Sequence, residues 1–216
     1  MQLVNPELNI DHIRQEFHDA GKVIVRDYIE PSLAEDLYQC LDSGLPWGLH
    51  FNRGDEAVEL TADILATMSE AEIKEQLPAE PFRPTAKFSY IFNKYNIITA
   101  IENNTCPPLL LSLLEQLNSK EYLRLMGDIT GITDGNAMDC YAGRYMPGQF
   151  LTAHNDTSAT EVRLAAHIIN FSKGWGRSWG GELNFCDNWG RSSLQEYPEF
   201  NSLVLSGLLN EYGAHP

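Results

Sequence analysis

The sequence predicts an α+β protein with a mainly β core, an antiparallel sandwich or barrel with helices packed outside it. Three observations predict this. Apolar residues make up 43% and charged residues 21% of 216 positions, the balance of one globular domain. The first half carries helical periodicity and helix start signals. From about Ala137 the chain changes to short strand-like runs separated by turns rich in Gly, Pro, Asp and Trp. The expected organisation is one domain over 1–216, with about 1–135 as helix-rich support and about 136–216 as the core.

In the first half, Ile10, Ile13 and Phe17 fall at helical spacing ahead of Gly21, a residue that stops helices. The run KVIVRDYI is short and β-branched, which predicts a strand. After Pro31, Ser32 and Glu35 have the spacing of a capping box, and Leu33, Leu37 and Leu41 repeat on one helix face. Ser69 and Glu72 repeat the start signal for a more exposed helix reaching Leu77, and Pro107 opens a third over LLLSLLEQL. In the second half the strand candidates are AMDCYAGRY, QFLTAHN, VRLAAHIINF, GELNFC and FNSLVLS. Pro147-Gly148 and Gly180-Gly181 mark turns between them, the second where a side chain would collide with a neighbouring strand or block a site.

Lys and Arg number 15 against 30 Asp and Glu, so the formal charge of −15 has the wrong sign for phosphate backbones. The N-terminus MQLVNPELNIDH lacks the basic and apolar regions of a leader, and no window approaches the ~18 apolar residues of a membrane span. The expectation is a soluble, cytoplasmic protein with no nucleic-acid and no membrane partner. Cys40, Cys106, Cys140 and Cys186 are widely spaced without a C-x-x-C pair and read as buried thiols.

The chemistry is expected at His154-Asn-Asp156, at the end of a predicted strand whose alternation sends both side chains to one face. An imidazole and a carboxylate supply two adjacent ligands to a divalent metal. A third from a distant strand would complete a facial triad with the open positions that suit Fe(II). The pair is common by chance, so context carries it: YMPGQFLTAHND turns at Pro-Gly and keeps Phe150 and Thr152 in parity with the ligands. On VRLAAHIINF, Leu164, Ala166, Ile168 and Asn170 share a face, so Asn170 is a polar group on an apolar stripe and requires a partner. Arg163 and His167 take the opposite face, His167 as a structural histidine.

The order Tyr-x-x-Gly-x-Phe-x-x-x-His-x-Asp, an apolar strand ending in Asn/Phe, Gly-Gly-x-Leu-x-Phe, Phe-Asn-x-Leu-x-Leu and a distal His resembles the prolyl-4-hydroxylase-like branch of the Fe(II)/2-oxoglutarate-dependent dioxygenases. GKVIVRDYIEPSLAEDLYQCLDSGLPW is similar to the entry segment of bacterial members, so the resemblance covers most of the chain and is densest from Tyr141 to His215. It implies a double-stranded β-helix, or jelly roll, as the metal-binding core, with His154, Asp156 and His215 as iron ligands. It further implies Fe(II), 2-oxoglutarate and O2 as cofactor and co-substrates, with Tyr141, Tyr145 and Asn170 as candidate contacts to 2-oxoglutarate. A purely structural hydrogen bond is the alternative role for each of those three. The implied activity couples oxidative decarboxylation of 2-oxoglutarate to hydroxylation of a prolyl residue or a free amino-acid-like small molecule. In the family, halogenating relatives replace the carboxylate with a small residue, so Asp156 favours hydroxylation.

The family also carries an Arg or Lys on the strand after the distal His. The given sequence stops at Pro216, so a C-terminal segment is expected to be missing and the cation that anchors 2-oxoglutarate is unassigned. Two competing readings are a degenerate jelly-roll binding module without turnover and a cupin-like metalloenzyme that does not use 2-oxoglutarate. PFRPTAKFSYIFNKYN either lines the mouth of the site or covers the barrel, and the oligomeric state is open.

Overall fold

The computed structural model describes residues 2–42, 44–77, 88–133, 135, 137–156, 162–186 and 192–208. In chain order the elements are α1 (Ile10–Ala20), β1 (Lys22–Val25), α2 (Pro31–Asp42), β2 (Gly48–Arg53), β3 (Glu56–Leu60), α3 (Ala62–Thr67), α4 (Glu70–Gln76), β4 (Tyr90–Asn96), α5 (Ile97–Glu102), α6 (Pro108–Leu117), α7 (Lys120–Thr130), β5 (Tyr141–Arg144), β6 (Phe150–Leu151), β7 (Ala165–Asn170), β8 (Leu183–Cys186), β9 (Ser192–Glu196) and β10 (Ser202–Gly207). These give a mixed α/β protein with substantial antiparallel sheets. The chain divides into two compact units, 1–39 with 107–139 and 155–216, and 40–106 with 140–154.

The first unit holds an antiparallel sheet of order β1-β10-β7 and the hairpin β8-β9. Lys22 faces Ser206 across the β1-β10 pair, and Val204 faces Ile168 across β10-β7. The intervening residues Val23, Val25, Leu203 and Leu205 are buried. On that side α7 meets β7 through Tyr122 and His167, and α1 brings Phe17 beside Gly207. The sequence builds α1 as expected: the Asn9 side chain accepts from the His12 N–H, Ile13 and Phe17 are buried, and Gly21 ends the helix at φ 67°. α7 starts at the N-cap Ser119, whose hydroxyl accepts from the Tyr122 N–H, and it is amphipathic, with Tyr122, Met126 and Ile129 buried. Asn201, 2% exposed at φ 58°, fastens the segment after β1 to the start of β10. Its Oδ1 accepts from the Ile29 N–H and its Nδ2 donates to the Ile29 carbonyl, each at 2.8 Å.

The predicted capping box of α2 is corrected. The helix begins at Pro31, and Glu30 supplies the cap, its carboxylate accepting from the Leu33 N–H at 3.0 Å and the Ser32 hydroxyl at 2.6 Å. Glu35 instead pairs with Lys173, whose ammonium lies over the rings of Tyr38 and Phe200. Leu33 and Leu37 are buried as expected.

The second unit is a sheet of order β3-β2-β4-β5, with β6 also pairing β4. One face carries a core of Leu49, Phe51 and Ile91, against which Val58, Leu60, Leu65, Ile73, Leu77 and Phe150 pack. Leu65 belongs to α3, and Ile73 and Leu77 to α4 and its C-cap, so this face is the apolar one. The capping box of Ser69 and Glu72 is present at α4, as its spacing requires. Asn52 ties the end of β2 to the start of β4 by donating to the Gly54 and Phe88 carbonyls and accepting from the Tyr90 N–H.

Two local expectations fail. β6 ends at Leu151, and Asp156 sits at φ 55°, so strand alternation does not carry the His154-x-Asp156 pair onto one face. The thiols are not fully buried: Cys40, Cys106 and Cys140 are partly exposed and Cys186 is exposed. No helix among the described residues is long and apolar enough to cross a membrane.

Candidate metal and co-substrate site

In the second unit, the sheet face opposite the apolar core is lined by rings. Period-two alternation along β4 sends Tyr90, Phe92 and Lys94 to that face and Ile91 to the core. Register then adds His50 opposite Phe92, Glu59 opposite His50, and Tyr141 opposite Asn96. The rings form a continuous chain. Tyr141 and Tyr145 stack on Phe92 with centroids 6.1 and 5.4 Å away, Phe92 meets Tyr90 at 5.8 Å, Tyr90 meets Phe88 at 5.2 Å, and Phe88 meets His154 at 5.3 Å. The structure thus links Tyr141, Tyr145 and His154, three of the predicted site residues, through one aromatic row. The Tyr145 side chain is partly open, yet burial of its hydroxyl pushes its pKa well up, with Tyr141 adding to the effect.

Beyond Phe92 the row ends in charge. Lys94 and Glu59 pair at 3.5 Å, and His50 Nδ1 lies 4.0 Å from the same carboxylate oxygen. Burial, then the Lys94 charge, lowers the His50 pKa and favours its neutral ring. His50, Glu59, Phe88, Tyr90, Phe92 and Lys94 were missing from the predicted site. The signal was available for β4, where Phe88, Tyr90, Phe92 and Lys94 alternate with other residues in FSYIFNK. The upstream part of that stretch, up to Lys87, lies outside the described residues.

His154 follows the end of β6, and its Nδ1 lies 2.9 Å from the Thr152 carbonyl oxygen. A carbonyl can only accept, so Nδ1 carries the proton, and in a neutral ring that leaves the lone pair on Nε2. Thr152 is itself fixed, its N–H donating to the Ser89 carbonyl and its hydroxyl oxygen accepting from the Ser89 N–H. Orientation of an imidazole through its second nitrogen is what a metal-ligating histidine requires.

In the first unit, Asp156 lines a small cavity with Ala166, Ile168, Leu183, Phe185, Val204 and Ser206. Ala166 and Ile168 occupy the β7 face that the sequence predicted for Asn170, and their β10 partners Ser206 and Val204 complete the sheet side of the cavity. Asn170 finds a partner in Ser202, donating from Nδ2 to Oγ at 3.3 Å. His167 takes the opposite face, partly buried and bonded to Tyr122, as a structural histidine should be. Gly181 has a different reason from the one expected: a β-carbon there would stand 2.7 Å from the ring of Trp175, not against a strand.

An imidazole oriented through Nδ1 and a carboxylate are each of the ligand type that a facial Fe(II) triad uses, with His154 in the second unit and Asp156 in the first. His215, the expected third ligand, lies outside the described residues. Among the described residues no three His, Cys, Asp or Glu side chains are grouped to hold a metal.

Residues 140–212, about a third of the chain, match the profile of the 2OG-Fe(II) oxygenase superfamily. The match supports a dioxygenase, and the family implies Fe(II), 2-oxoglutarate and O2 as cofactor and co-substrates. It contains Tyr141, Tyr145, His154, Asp156 and Asn170 and stops short of His215. No curated protein matches the chain.

Proposed function

We propose that this chain is a cytoplasmic Fe(II)/2-oxoglutarate-dependent hydroxylase with a jelly-roll core, of the prolyl-4-hydroxylase-like branch. Its substrate is a prolyl residue or a free amino-acid-like small molecule. The observation that carries the reading is the superfamily match over a His-x-Asp pair whose histidine is oriented through Nδ1 by the Thr152 carbonyl. In this reading His154, Asp156 and His215 hold the iron, while Tyr141, Tyr145 and Asn170 contact 2-oxoglutarate. Bound iron would activate O2, which is the oxidant, with 2-oxoglutarate giving two of the four electrons that reduce it and the substrate C–H giving the other two.

The chain's own side chains do the rest. Thr152 keeps the His154 ring in one tautomer, so its ligating nitrogen needs no reorganisation when metal binds. Ala166, Ile168, Leu183 and Val204 give the Asp156 cavity an apolar lining that disfavours bulk water beside the carboxylate. The ring row of the second unit offers faces on which a planar or apolar substrate group can stack.

The test is anaerobic titration of the full chain with Fe(II) and then 2-oxoglutarate, following the visible charge-transfer band of the chelate. The band is expected with wild type and absent with His154→Ala. Tight Fe(II) binding without a band, or an undiminished band in His154→Ala, would overturn the reading.

A further inference from the structure

Tyr28, Tyr122 and His167 meet inside the first unit from three distant stretches of chain: the segment after β1, α7 and β7. The Tyr122 hydroxyl lies 2.6 Å from the Tyr28 hydroxyl and 2.7 Å from Nε2 of His167, and both tyrosines are buried. Donors and acceptors fix the direction of the chain. If Nε2 donated to Tyr122, the Tyr122 proton would go to Tyr28, and the Tyr28 proton would stand in the core with no acceptor among the described residues. In the opposite order every proton is used. Tyr28 O–H donates to Tyr122, and Tyr122 O–H donates to Nε2 of a neutral ring.

Packing alone does not require this order, since phenylalanine at both tyrosine positions would fill the same space without two hydroxyls to satisfy. What the order supplies is a proton path for one-electron chemistry. A phenol that loses an electron becomes a strong acid, so a buried phenol is oxidised readily only where a base takes its proton in the same event. His167 Nε2 stands within proton-transfer distance of Tyr122. Burial raises the pKa of both phenols and lowers that of His167, so at rest the protons stay on the tyrosines and Nε2 stays free to receive one. An oxidised phenol is a far stronger acid than an imidazolium of pKa about 4, so the lowered value does not block the transfer. Tyr141 and Tyr145, by contrast, are 52% and 42% exposed, and radicals there would meet solvent and other molecules.

We infer that Tyr122, with His167 as its proton acceptor and Tyr28 as its second hydrogen-bond partner, is a reversible one-electron site that takes oxidising equivalents from radical or metal-centred one-electron oxidants. In the oxidising step one electron passes from Tyr122 to the oxidant, the O–H bond breaks and the proton bonds to Nε2. A neutral phenoxyl radical is left beside an imidazolium. Transfer of a hydrogen atom from Tyr28 moves the radical one ring further with no change in charge. A small reductant such as ascorbate supplies the electron that reverses the step, and the proton returns from Nε2 to Tyr122. Tyr122 also lines an open groove with Leu3, Val4 and Leu125, which brings such a reductant near the ring while the hydroxyl stays buried. The site stands apart from the proposed hydroxylase reading, which assigns none of these three residues to metal or co-substrate.

The experiment is flash photolysis of the full chain with tris(bipyridine)ruthenium(II) and a cobalt(III) ammine as sacrificial acceptor, which generates ruthenium(III) as the one-electron oxidant. The phenoxyl radical is followed by its visible absorbance and by electron paramagnetic resonance. Wild type is expected to hold a phenoxyl signal that outlasts those of its exposed tyrosines. Tyr122→Phe and His167→Gln lower that long-lived signal by about tenfold or more, the factor that one hydrogen bond to a charged group is worth, and Tyr28→Phe retains it. Glutamine accepts a hydrogen bond but does not take up a proton, so a merely structural His167 would leave the signal unchanged in His167→Gln. An undiminished long-lived signal in Tyr122→Phe or in His167→Gln overturns the inference, as does its absence from wild type. If circular dichroism shows that those variants do not fold, electron–nuclear double resonance of the wild-type radical in D2O decides. Two exchangeable protons coupled to the long-lived phenoxyl, one from His167 and one from Tyr28, support the site, and fewer overturn it.

Discussion

The Tyr122 hydroxyl lies 2.7 Å from Nε2 of His167 and, on its other side, 2.6 Å from the Tyr28 hydroxyl. The three groups, two buried tyrosines and a partly buried histidine, form a polar chain between α7, β7 and the segment after β1. Burial holds the His167 pKa down to about 4, so the ring is neutral at physiological pH. The unfolded ring takes its proton near pH 6.5, while the folded ring resists until about pH 4. Stability from this group is therefore complete above about pH 6.5 and falls as pH is lowered to about 4, by about 3 kcal/mol at most. Urea unfolding of wild type and His167→Gln at pH 7 and pH 4.5 checks this. The variant is expected to lose less stability between the two values than wild type does.

The same chain distinguishes its middle from its end. Tyr122→Phe leaves both Tyr28 and His167 without their shared hydroxyl, whereas Tyr28→Phe leaves Tyr122 still bonded to His167. Each stranded buried group costs about 1–3 kcal/mol, so Tyr122→Phe is expected to lower the urea midpoint more than Tyr28→Phe.

Gly181 has φ 77°, and a β-carbon there would press against Trp175, whose indole N–H donates to the Gly180 carbonyl at 2.8 Å. Gly181→Ala combines an unfavourable backbone with a steric clash and is expected to destabilise by about 1–3 kcal/mol. Near-ultraviolet circular dichroism should show a changed indole environment together with the lower thermal midpoint.

Asp156 combines a positive φ with a carboxylate. Asn tolerates that backbone about as well as Asp does, and Ala does not. Asp156→Asn is thus expected to match wild type in stability while Asp156→Ala falls by about 1 kcal/mol. Both should lose Fe(II) binding measured by equilibrium dialysis.

Asn170→Ala removes the donor to Ser202 and, under the proposed function, a contact to 2-oxoglutarate. The expected outcome is a raised 2-oxoglutarate requirement with the fold retained. An unchanged requirement would leave Asn170 with the Ser202 bond as its role.

Much of the first unit was legible because its signals are local. Ile13 and Phe17 before Gly21, and the β-branched run from Lys22, act within one turn or one strand. His167 was readable for the same reason, since alternation along β7 separates it from Ala166 and Ile168. The second unit was less so. β2 and β3 are short and polar on one side, and their apolar residues acquire meaning only when Leu49 and Phe51 meet Ile91 from a strand far along the chain. At the candidate site, the residue types were visible but their geometry was not. Parity predicts where a side chain points only while the strand lasts, and β6 stops at Leu151, before His154. The cap of α2 fails similarly: Ser32 and Glu35 have the spacing, but Pro31 fits the first helical turn and moves the cap to Glu30.

The middle position of β10 has a temporal consequence. β1 pairs β10, and Asn201 reaches back 172 positions to Ile29, so β1 cannot acquire its strand partner until the ribosome has made nearly the whole described chain, whereas the segment after it already bridges to Val4. During synthesis Val23 and Val25 must wait on a strand without its β10 partner, the situation in which long sequence separation slows folding and invites chaperone capture. Substitutions that weaken the grip of Asn201 should therefore reduce the yield of soluble protein in cells more than they lower the melting temperature of what is recovered.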